Sequence, residues 1–389
     1  MLLDEQAADL GAEATAKIMH GLASVPQPLP ACIPALLPVL ETRALATLEV
    51  GCTFRPFPSK SAVGCERSRC QRWRNRPRPN SQETRPGQEA TPHAAATLLG
   101  TLKALAVPDS SPLLPAVLKR MEAVAEELAT PADIARVLTA LATLGVKHPA
   151  LLDALARAAV PLAPDFPPEG VSATLWGYAI LGARPPPALL GALCDRAAAC
   201  AESFLPHELA DALWALAVLD HQPPPFLLLR FVSRALHAIH DFQEDDVANF
   251  FWALAACSHA PPRVLHARLQ ARALALAPTM SPGNISSLLW AHATLALVPS
   301  PALAAALQSR VRETSNDLAP TDLSSLLWSC AVLRLRPDTY TVEALTDKTA
   351  AYLPLLSPAR VVDVAWALAA LSLPPPPLLA RSLYHPSLG

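Results

Sequence analysis

Basic side chains recur at a constant interval in the second half of this sequence. Each lies twenty residues after a tryptophan, and neighbouring members are 38 residues apart. We call these residues the cation row: Arg196, Arg234, Arg272, Arg310 and Lys348, with Arg120 at the same place in an earlier repeat. Cations aligned along one side of a molecule suit successive phosphate groups. We therefore predict that the cation row contacts a phosphate backbone.

The cation row also has a purely structural interpretation. Its members fall near the predicted C-terminal end of a helix, where a positive charge interacts favourably with the helix dipole. The same side chains would be able to pair with acids of a neighbouring repeat, such as Asp246 or Asp322. From the sequence alone, both interpretations stay open.

A second recurrent position lies three residues before each tryptophan, and its residue type changes from repeat to repeat. We call it the variable row: Ala173, Asp211, Asn249, Ser287, Ser325 and Asp363. A protein that reads bases with one repeat at a time needs a constant scaffold with variable polar residues on one side. We predict that the polar members, from Asp211 to Asp363, contact bases. The alternative is a simple solvated helix face.

Motifs of catalysis and of metal binding are missing from the sequence. It contains no Gly-rich phosphate loop, no His-Glu-x-x-His, no paired Cys-x-x-Cys and no positioned nucleophile. Cys65 and Cys70, with Cys52 and His93 nearby, have a spacing that only weakly resembles a zinc site. We expect no enzymatic activity, no cofactor, no metal and no small-molecule substrate.

Six tryptophans define the period that positions both rows. They follow one another at intervals of 38 residues, at Trp176, Trp214, Trp252, Trp290, Trp328 and Trp366. Gly100 and Thr139 take this place in two earlier repeats, so eight repeats are visible. A strict period of this length indicates one supersecondary unit copied in tandem. Because the indoles are flanked by Leu and Ala, we predict that they lie in the core, with base stacking as the alternative.

Prolines divide each repeat into two predicted helices. A proline eight residues before the tryptophan opens helix A, and Ser281 and Ser357 precede it as caps. A proline nine residues after the tryptophan is expected to end helix A and to open helix B. No segment alternates with period two. The prediction is an all-α protein, an α-solenoid of two-helix repeats that forms a right-handed superhelix.

Helix A has an apolar side and a side that we expect to be polar. The predicted packing face is seen in Leu323, Leu326, Leu327, Cys330 and Leu333. We place the variable row on the opposite side, together with the position that directly follows each tryptophan.

Three regions differ in composition. Residues 1–50 contain a degenerate repeat, residues 51–90 form an Arg- and Pro-rich insert that we expect to be disordered, and residues 91–389 form the array. The insert is either a basic arm whose Trp73 stacks on a base, or a solvated linker, which we favour.

The array, residues 91–389, is mildly acidic, since it has 20 Lys plus Arg against 24 Asp plus Glu. Its cations therefore form a row on a mildly acidic body.

Charge, cysteine usage and the N-terminal residues indicate the compartment in which the protein is expected. The formal net charge is -2, and the eight cysteines show no paired framework, which fits reduced thiols in a reducing compartment. The uncharged run 21–40 is interrupted by five prolines, so we expect no membrane insertion. The acidic residues near the N-terminus do not match an organelle transit peptide.

The phrase Leu209-Ala-Asp-Ala-Leu-Trp214, followed by Pro223-Pro-Pro225, resembles the octotricopeptide repeat. These 38-residue helical hairpins occur in organelle RNA-binding factors of algae and protists, and are related to FAST-kinase-like and RAP-associated proteins. The resemblance covers about residues 93–389. It implies a sequence-selective RNA-binding solenoid in a chloroplast or mitochondrion, acting in transcript stabilisation, processing or translation. The implied partners are single-stranded RNA and proteins that supply an enzymatic activity.

A protein-interaction scaffold without direct RNA contact is the alternative function. It is favoured by the mildly acidic array, because nucleic acid binding depends on positive charge.

Overall fold

The computed structural model describes residues 16, 19, 20, 41, 44, 45, 91–102, 112–336, 339–373 and 379. These residues form fifteen α-helices and six short 3-10 turns, and none of them lies in a strand. The prediction of an all-α protein is confirmed. The predicted insert 51–90, with Trp73, and nearly all of the predicted degenerate repeat 1–50 lie outside the described residues.

The helices alternate between helix A and helix B of each repeat. The A helices are α1 (Pro92–Thr101), α3 (Pro131–Leu144), α5 (Pro168–Ile180), α7 (Pro206–Val218), α9 (Glu244–Ala256), α11 (Pro282–Thr294), α13 (Pro320–Leu333) and α15 (Pro358–Ala370). The B helices are α2 (Leu113–Val124), α4 (Pro149–Leu162), α6 (Pro187–Ala199), α8 (Pro225–Ala238), α10 (Arg263–Leu276), α12 (Pro301–Glu313) and α14 (Thr339–Tyr352).

The chain divides into two compact units, Met1–Ala158 and Ala159–Gly389. In the first unit, α1 packs against α2 and α3. In the second unit, each A helix packs against the next A helix, from α5 to α15, and each B helix packs against the next B helix, from α6 to α14. This neighbour-to-neighbour packing is that of an α-solenoid, as predicted. The hand of the superhelix stays a prediction.

The A helices begin where the sequence predicts. In α5, α7, α11, α13 and α15 the proline occupies the first turn, where its missing N–H costs no hydrogen bond. In α7 and α13, an acid in the first turn then accepts a hydrogen bond from the backbone N–H that precedes the helix, as Glu208 does from Leu205 at 2.8 Å. Ser281 caps α11 as predicted. Ser357 makes no such side-chain hydrogen bond, so its predicted capping role is wrong.

The A helices end differently from the prediction. The expected terminator, a proline nine residues after the tryptophan, lies beyond the end of the helix. Instead, the residue six positions after the tryptophan has a left-handed backbone: Gly182, Asp220, Ser258, Ala296, Arg334 and Ser372, with Gly145 in the equivalent place. The next N–H bonds back to the helix, as His221 N does to Leu216 O at 3.0 Å. This is a Schellman ending, which turns the chain toward helix B.

Small residues allow the A helices of the second unit to pack closely. The position that directly follows each tryptophan holds Gly177, Ala215, Ala253, Ala291, Ser329 and Ala367, and all six are buried. Its predicted place on the polar side was therefore wrong. The predicted packing face is confirmed for Leu323, Leu326, Leu327 and Cys330, which are buried, whereas Leu333 is half-buried. None of the described helices has the length and apolar character needed to cross a bilayer.

Candidate nucleic-acid interface

The six repeated tryptophans are not core residues, contrary to the prediction. Five of them are half-buried, and Trp366 is 49% exposed. Each indole is therefore covered only in part and is partly open to solvent. The rings of Trp252 and Trp290 lie 5.7 Å apart with an interplanar angle of 30°. Indoles of two neighbouring repeats thus approach stacking distance on the open side of the layer.

The variable row lies on the same open side. Asp211, Asn249, Ser287, Ser325 and Asp363 are all half-buried, and each precedes its tryptophan by three residues, which places both on one helix face. The residue four positions after the tryptophan continues this face with Ile180, Val218 and Val332, all exposed. We call these three positions, from α5 to α15, the helix-A stripe. In each repeat it combines a variable residue, an indole and a third side chain.

The A helices of the second unit are acidic. They contain eight carboxylates, Glu169, Glu208, Asp211, Glu244, Asp245, Asp246, Asp322 and Asp363, and one arginine, Arg360. Several of the carboxylates are used locally, because Glu208, Asp246 and Asp322 accept hydrogen bonds that cap their own helices. The stripe itself therefore offers no row of cations to a phosphate backbone.

Asp211 on α7 is close to the acidic first turn of α9. Burial raises its pKa, the carboxylates of Asp246 and Asp245 raise it further, and His207 opposes them. Burial also raises the pKa of Asp246, although the hydrogen bond from Gln243 lowers it. A hydrogen-bond donor, such as the amino group of a base, stabilises the charged carboxylate of such an Asp and lowers its pKa again.

The cation row binds backbone carbonyls. The Nε of each arginine donates to the carbonyl ten residues before the tryptophan of its repeat: Arg196 to Phe166 at 2.7 Å, Arg234 to Phe204 at 2.8 Å, Arg272 to Phe242 at 2.7 Å and Arg310 to Met280 at 3.0 Å. These carbonyls lie in the junction that leads into helix A. Each arginine therefore joins its B helix to the entrance of the A helix of the same repeat.

The last member of the row departs from this pattern. Lys348 Nζ donates to Asn316 O at 3.1 Å, and the carbonyl of Leu318 is instead bound by the hydroxyl of Tyr352 at 2.8 Å. Lys348 Nζ also lies 5.6 Å from the centre of the Tyr352 ring. Arg120 lies half-buried on α2, in the first unit.

The arginines of the cation row thus make structural contacts, but with other partners than the sequence suggests. The predicted pairing with Asp246 or Asp322 is replaced by carbonyl bonds, and the salt bridge recorded for an arginine of the row, Arg310 with Glu313 at 3.2 Å, stays inside α12. Within the described residues, the Nη atoms of Arg196, Arg234 and Arg272 make no hydrogen bond. Phosphate contact by these outer nitrogens stays a prediction.

Both rows run along the same ends of the hairpins. The carbonyls bound by the cation row lie two residues before helix A begins, and the variable row lies in the second turn of that helix. At 1.5 Å per residue, this places the bound carbonyls about 10 Å from the variable row along the helix axis.

Metal and thiol chemistry find no support in the described residues. In that part of the chain, no three His, Cys, Asp or Glu side chains are grouped to hold a metal ion. Cys52, Cys65 and Cys70 lie outside it, and His93 instead contacts Asp133 at 2.8 Å. Burial raises the pKa of Cys194 and Cys257 to about 11 and that of Cys330 to about 12, so these free thiols stay protonated at neutral pH.

Sequence reasoning missed the helix-A stripe because it assigned the indoles to the core. A signal was present, since the indole is three residues from the variable row and therefore on the same helix face.

The chain matches a known protein family by sequence. The family model described as RNA-editing substrate-binding complex 6 protein, RESC6, matches residues 109–338. That match spans more than half of the chain and includes α2 to α13. No curated protein sequence matches the chain significantly.

Proposed function

The chain belongs to the RNA-editing substrate-binding complex 6 family, and we propose that it binds single-stranded RNA in organellar post-transcriptional gene expression. The family's description refers to the substrate of an RNA-editing complex, which supports RNA as the ligand and RNA processing as the setting. The octotricopeptide-like spacing supports a chloroplast or mitochondrial location. The proposal assigns no catalysis to this chain, and protein partners supply any enzymatic step.

The observation that carries the proposal is the helix-A stripe. It repeats an open indole next to a variable side chain in six successive repeats. Bases of a single strand stack on aromatic side chains and expose their edges to polar groups. Stacking of one base on an aromatic ring contributes about 1–3 kcal/mol, whatever the base, so the indoles supply affinity. The variable row then supplies the difference between one base and another.

The distribution of charge suits this division of roles. The acids of the A helices repel phosphates, so the backbone of the bound strand is directed to the edge where the cation row lies. There, a carbonyl holds Nε of Arg196, Arg234 and Arg272, which orients each guanidinium and leaves Nη1 and Nη2 for a phosphate. A guanidinium oriented in advance loses less entropy when it binds.

Paired substitutions of indoles provide the main test. Trp252→Ala with Trp290→Ala removes two stacking platforms, and we expect binding of a fluorescent single-stranded RNA pool to weaken by roughly tenfold or more. Val298→Ala, at an exposed apolar residue that follows the C-terminal end of α11, is the matched control and should change affinity less than about twofold. Trp252→Phe with Trp290→Phe should recover most of the affinity. Equal RNA affinity in all variants would remove the stripe from the interface.

Salt dependence separates base contacts from phosphate contacts. Arg234→Met should reduce the slope of log affinity against log salt by about 0.7, the value for one phosphate on a single strand, whereas the indole variants should leave the slope unchanged. Because Arg234→Met also removes the bond to Phe204, its unfolding midpoint is measured in parallel. An unchanged slope in a folded variant would contradict phosphate contact by the row.

Asp211→Asn tests specificity at one repeat. The carboxylate only accepts hydrogen bonds, whereas the amide both donates and accepts, so the preferred base opposite this repeat should change. Sequencing of RNA selected by each protein from a random pool reveals the change, which should be confined to one position. If the selected sequences are identical, the variable row does not read bases.

A protein scaffold remains the second candidate, and the acidity of the A helices favours it. Eight carboxylates against one arginine would suit a basic protein segment. In that case, partner binding would occur without any RNA crosslink to the helix-A stripe. Crosslinking and sequencing of RNA from the native cell distinguishes the two functions and identifies the transcript.

A further inference from the structure

Helices α8 and α10 depart from the other repeats on their outward faces. At three exposed or half-exposed positions, α6 carries Ala188, Gly191 and Ala192, and α12 carries Ala302, Ala305 and Ala306. At the same positions, α8 carries Phe226, Leu229 and Arg230, and α10 carries Val264, Ala267 and Arg268. Small residues are thus compatible with the fold at these places. The larger side chains of α8 and α10 have no role that the repeat itself requires.

These larger side chains are open to solvent. Leu229 is 71% exposed, Val264 is 60% exposed and Phe226 is 47% exposed. Phe226 and Val264 occupy equivalent positions on helices that pack against each other, so exposed apolar side chains recur on both α8 and α10. Exposed apolar clusters rimmed by polar residues are typical of interaction sites.

Arginines surround this apolar surface. Arg230, Arg263 and Arg268 are exposed, and Arg263 stands where α6, α8 and α12 begin with proline. Arg268 also donates through Nη1 to the carbonyl of Leu236 at 2.9 Å, which ties α10 to α8. Neither helix contains an Asp or a Glu. We call these side chains the helix-B patch: Phe226, Leu229, Arg230, Arg263, Val264 and Arg268.

We propose that the helix-B patch docks an acidic amphipathic helix of a protein partner. An apolar centre beside three arginines, on two helices that contain no acid, is complementary to a helix that has leucine-like side chains on one face and carboxylates beside them. The patch lies on B helices, so this docking is independent of the helix-A stripe and of the RNA proposal.

The aliphatic side chains of the helix-B patch make RNA a poor ligand for it. A ribose-phosphate backbone would cover Leu229 and Val264 with polar groups, and it gains nothing from their burial. Phe226 is the single aromatic side chain of the patch, too few for a stacking platform along a strand. A protein helix instead buries all three apolar side chains and pairs with the three arginines.

Peptide binding to the full chain tests the proposal. The probe is a fluorescent helix of about 18 residues with Leu on one face and Glu on the other, that is, about five turns. The comparison probes are a scrambled peptide of the same composition, a Lys/Leu amphipathic peptide and a uridine oligonucleotide. We expect the Glu/Leu helix to bind roughly tenfold or more tightly than any comparison peptide, because only it matches both the apolar and the charged groups.

Two variants assign the binding to the patch. Leu229→Ser with Val264→Ser should weaken binding of the Glu/Leu helix by roughly tenfold or more, and Val298→Ser, at another exposed valine, should change it by less than about twofold. Arg230→Glu with Arg268→Glu should transfer the preference to the Lys/Leu peptide. Unfolding midpoints of all variants are measured in parallel.

Three outcomes would overturn the proposal. The first is the absence of a preference for the Glu/Leu helix. The second is binding that the patch variants do not weaken while their unfolding midpoints stay unchanged. The third is loss of oligonucleotide binding or of self-association, rather than of peptide binding, in Leu229→Ser with Val264→Ser. The last result would assign the patch to RNA or to a second copy of this chain.

Discussion

The layer of A helices and the layer of B helices in the second unit are built on different principles. The A layer is closely packed through buried small residues such as Ala253 and Ser329, and its helices hold a single arginine, Arg360. The B layer holds most of the positive charge, and its arginines reach across to carbonyls at the entrances of the A helices. Both layers contain the same repeat, and the B layer also repeats buried residues, with Leu189, Leu227, Leu265 and Leu303 at one position.

This difference shows where the repeat tolerates change. A close helix contact accepts little variation in volume, so the buried position that follows each tryptophan holds only Gly, Ala or Ser. The outward face of the B layer packs against nothing in the described chain, so it tolerates Ala in α6 and Phe226 in α8. The outward face of the B layer is therefore free to acquire a local surface such as the helix-B patch.

The largest effect is expected from a cavity in the A layer. Phe251 is fully buried and its ring lies 4.7 Å from that of His292 on the next A helix. Phe251→Ala should lower the free energy of unfolding by about 3–5 kcal/mol. Phe226→Ala, in the outward face of the B layer, should lower it by less than about 1 kcal/mol. Urea denaturation of both variants measures the contrast, and equal losses would contradict the difference between the layers.

A smaller effect is expected from a buried histidine between A helices. His292 donates through Nδ1 to Leu288 O at 2.8 Å, and its Nε2 is buried without a hydrogen-bond partner in the described chain. Burial, opposed by the hydrogen bond to Leu288 and assisted by the nearby His266, lowers the pKa of His292 from its ordinary value of 6.5 to about 4. The folded state thus binds fewer protons than the unfolded state between these values. Stability should therefore rise with pH from about 4 to 6.5 and stay constant above.

His292→Leu should remove this part of the pH dependence. Between pH 7 and pH 4, the wild type should lose roughly 2–3 kcal/mol more unfolding free energy than the variant, since one pKa unit corresponds to about 1.4 kcal/mol. Denaturation curves at both pH values give the difference. Parallel pH profiles for the two proteins would mean that His292 titrates normally.

The next effect concerns the link between the layers. Arg272→Met removes the hydrogen bond from Nε to Phe242 O at 2.7 Å and leaves that carbonyl without its cation. We expect a loss of about 1–2 kcal/mol in unfolding free energy. Arg268→Met is the matched control, because its exposed guanidinium binds Leu236 O, and its loss should stay below about 1 kcal/mol. Hydrogen exchange near residue 242 should accelerate in the first variant alone.

The smallest effect is a gain in stability. Ala296 ends α11 with φ at 51°, a conformation that costs an alanine free energy and a glycine almost none. Ala296→Gly should therefore raise the free energy of unfolding by about 0.5–1 kcal/mol, whereas Ala304→Gly inside α12 should lower it by a similar amount. A thermal melt of each variant suffices, and a lower midpoint for Ala296→Gly would refute the analysis of the helix ends.

Local features of the fold were predictable because they follow from single residue types. Proline at the start of an A helix and Ser281 as its cap are positions that backbone chemistry dictates without any neighbour. The helix ends were missed, because Ser258, Ala296 and Arg334 are not residues that signal a left-handed backbone. Only the hydrogen-bonded ending of the helix holds them in that conformation.

The candidate interface was predictable only in part. The variable row was placed on an open face by its helical spacing, and the structure agrees for Asn249 and Ser287. The indoles were misplaced, because neither composition nor period tells how much of a large ring its neighbours cover. The carbonyl partners of the cation row lie thirty residues away from each arginine. No local pattern predicts such a contact.

The sequence by itself determined the repeat, its two helices and the positions that recur, since a strict period and helix-breaking prolines constrain each unit independently of the others. The tertiary structure decided which side of each helix stays open. That outcome depends on how neighbouring units meet. Small buried residues bring the A helices together, and the indoles remain only partly covered. The arginines of the B helices bind the backbone carbonyls that precede helix A.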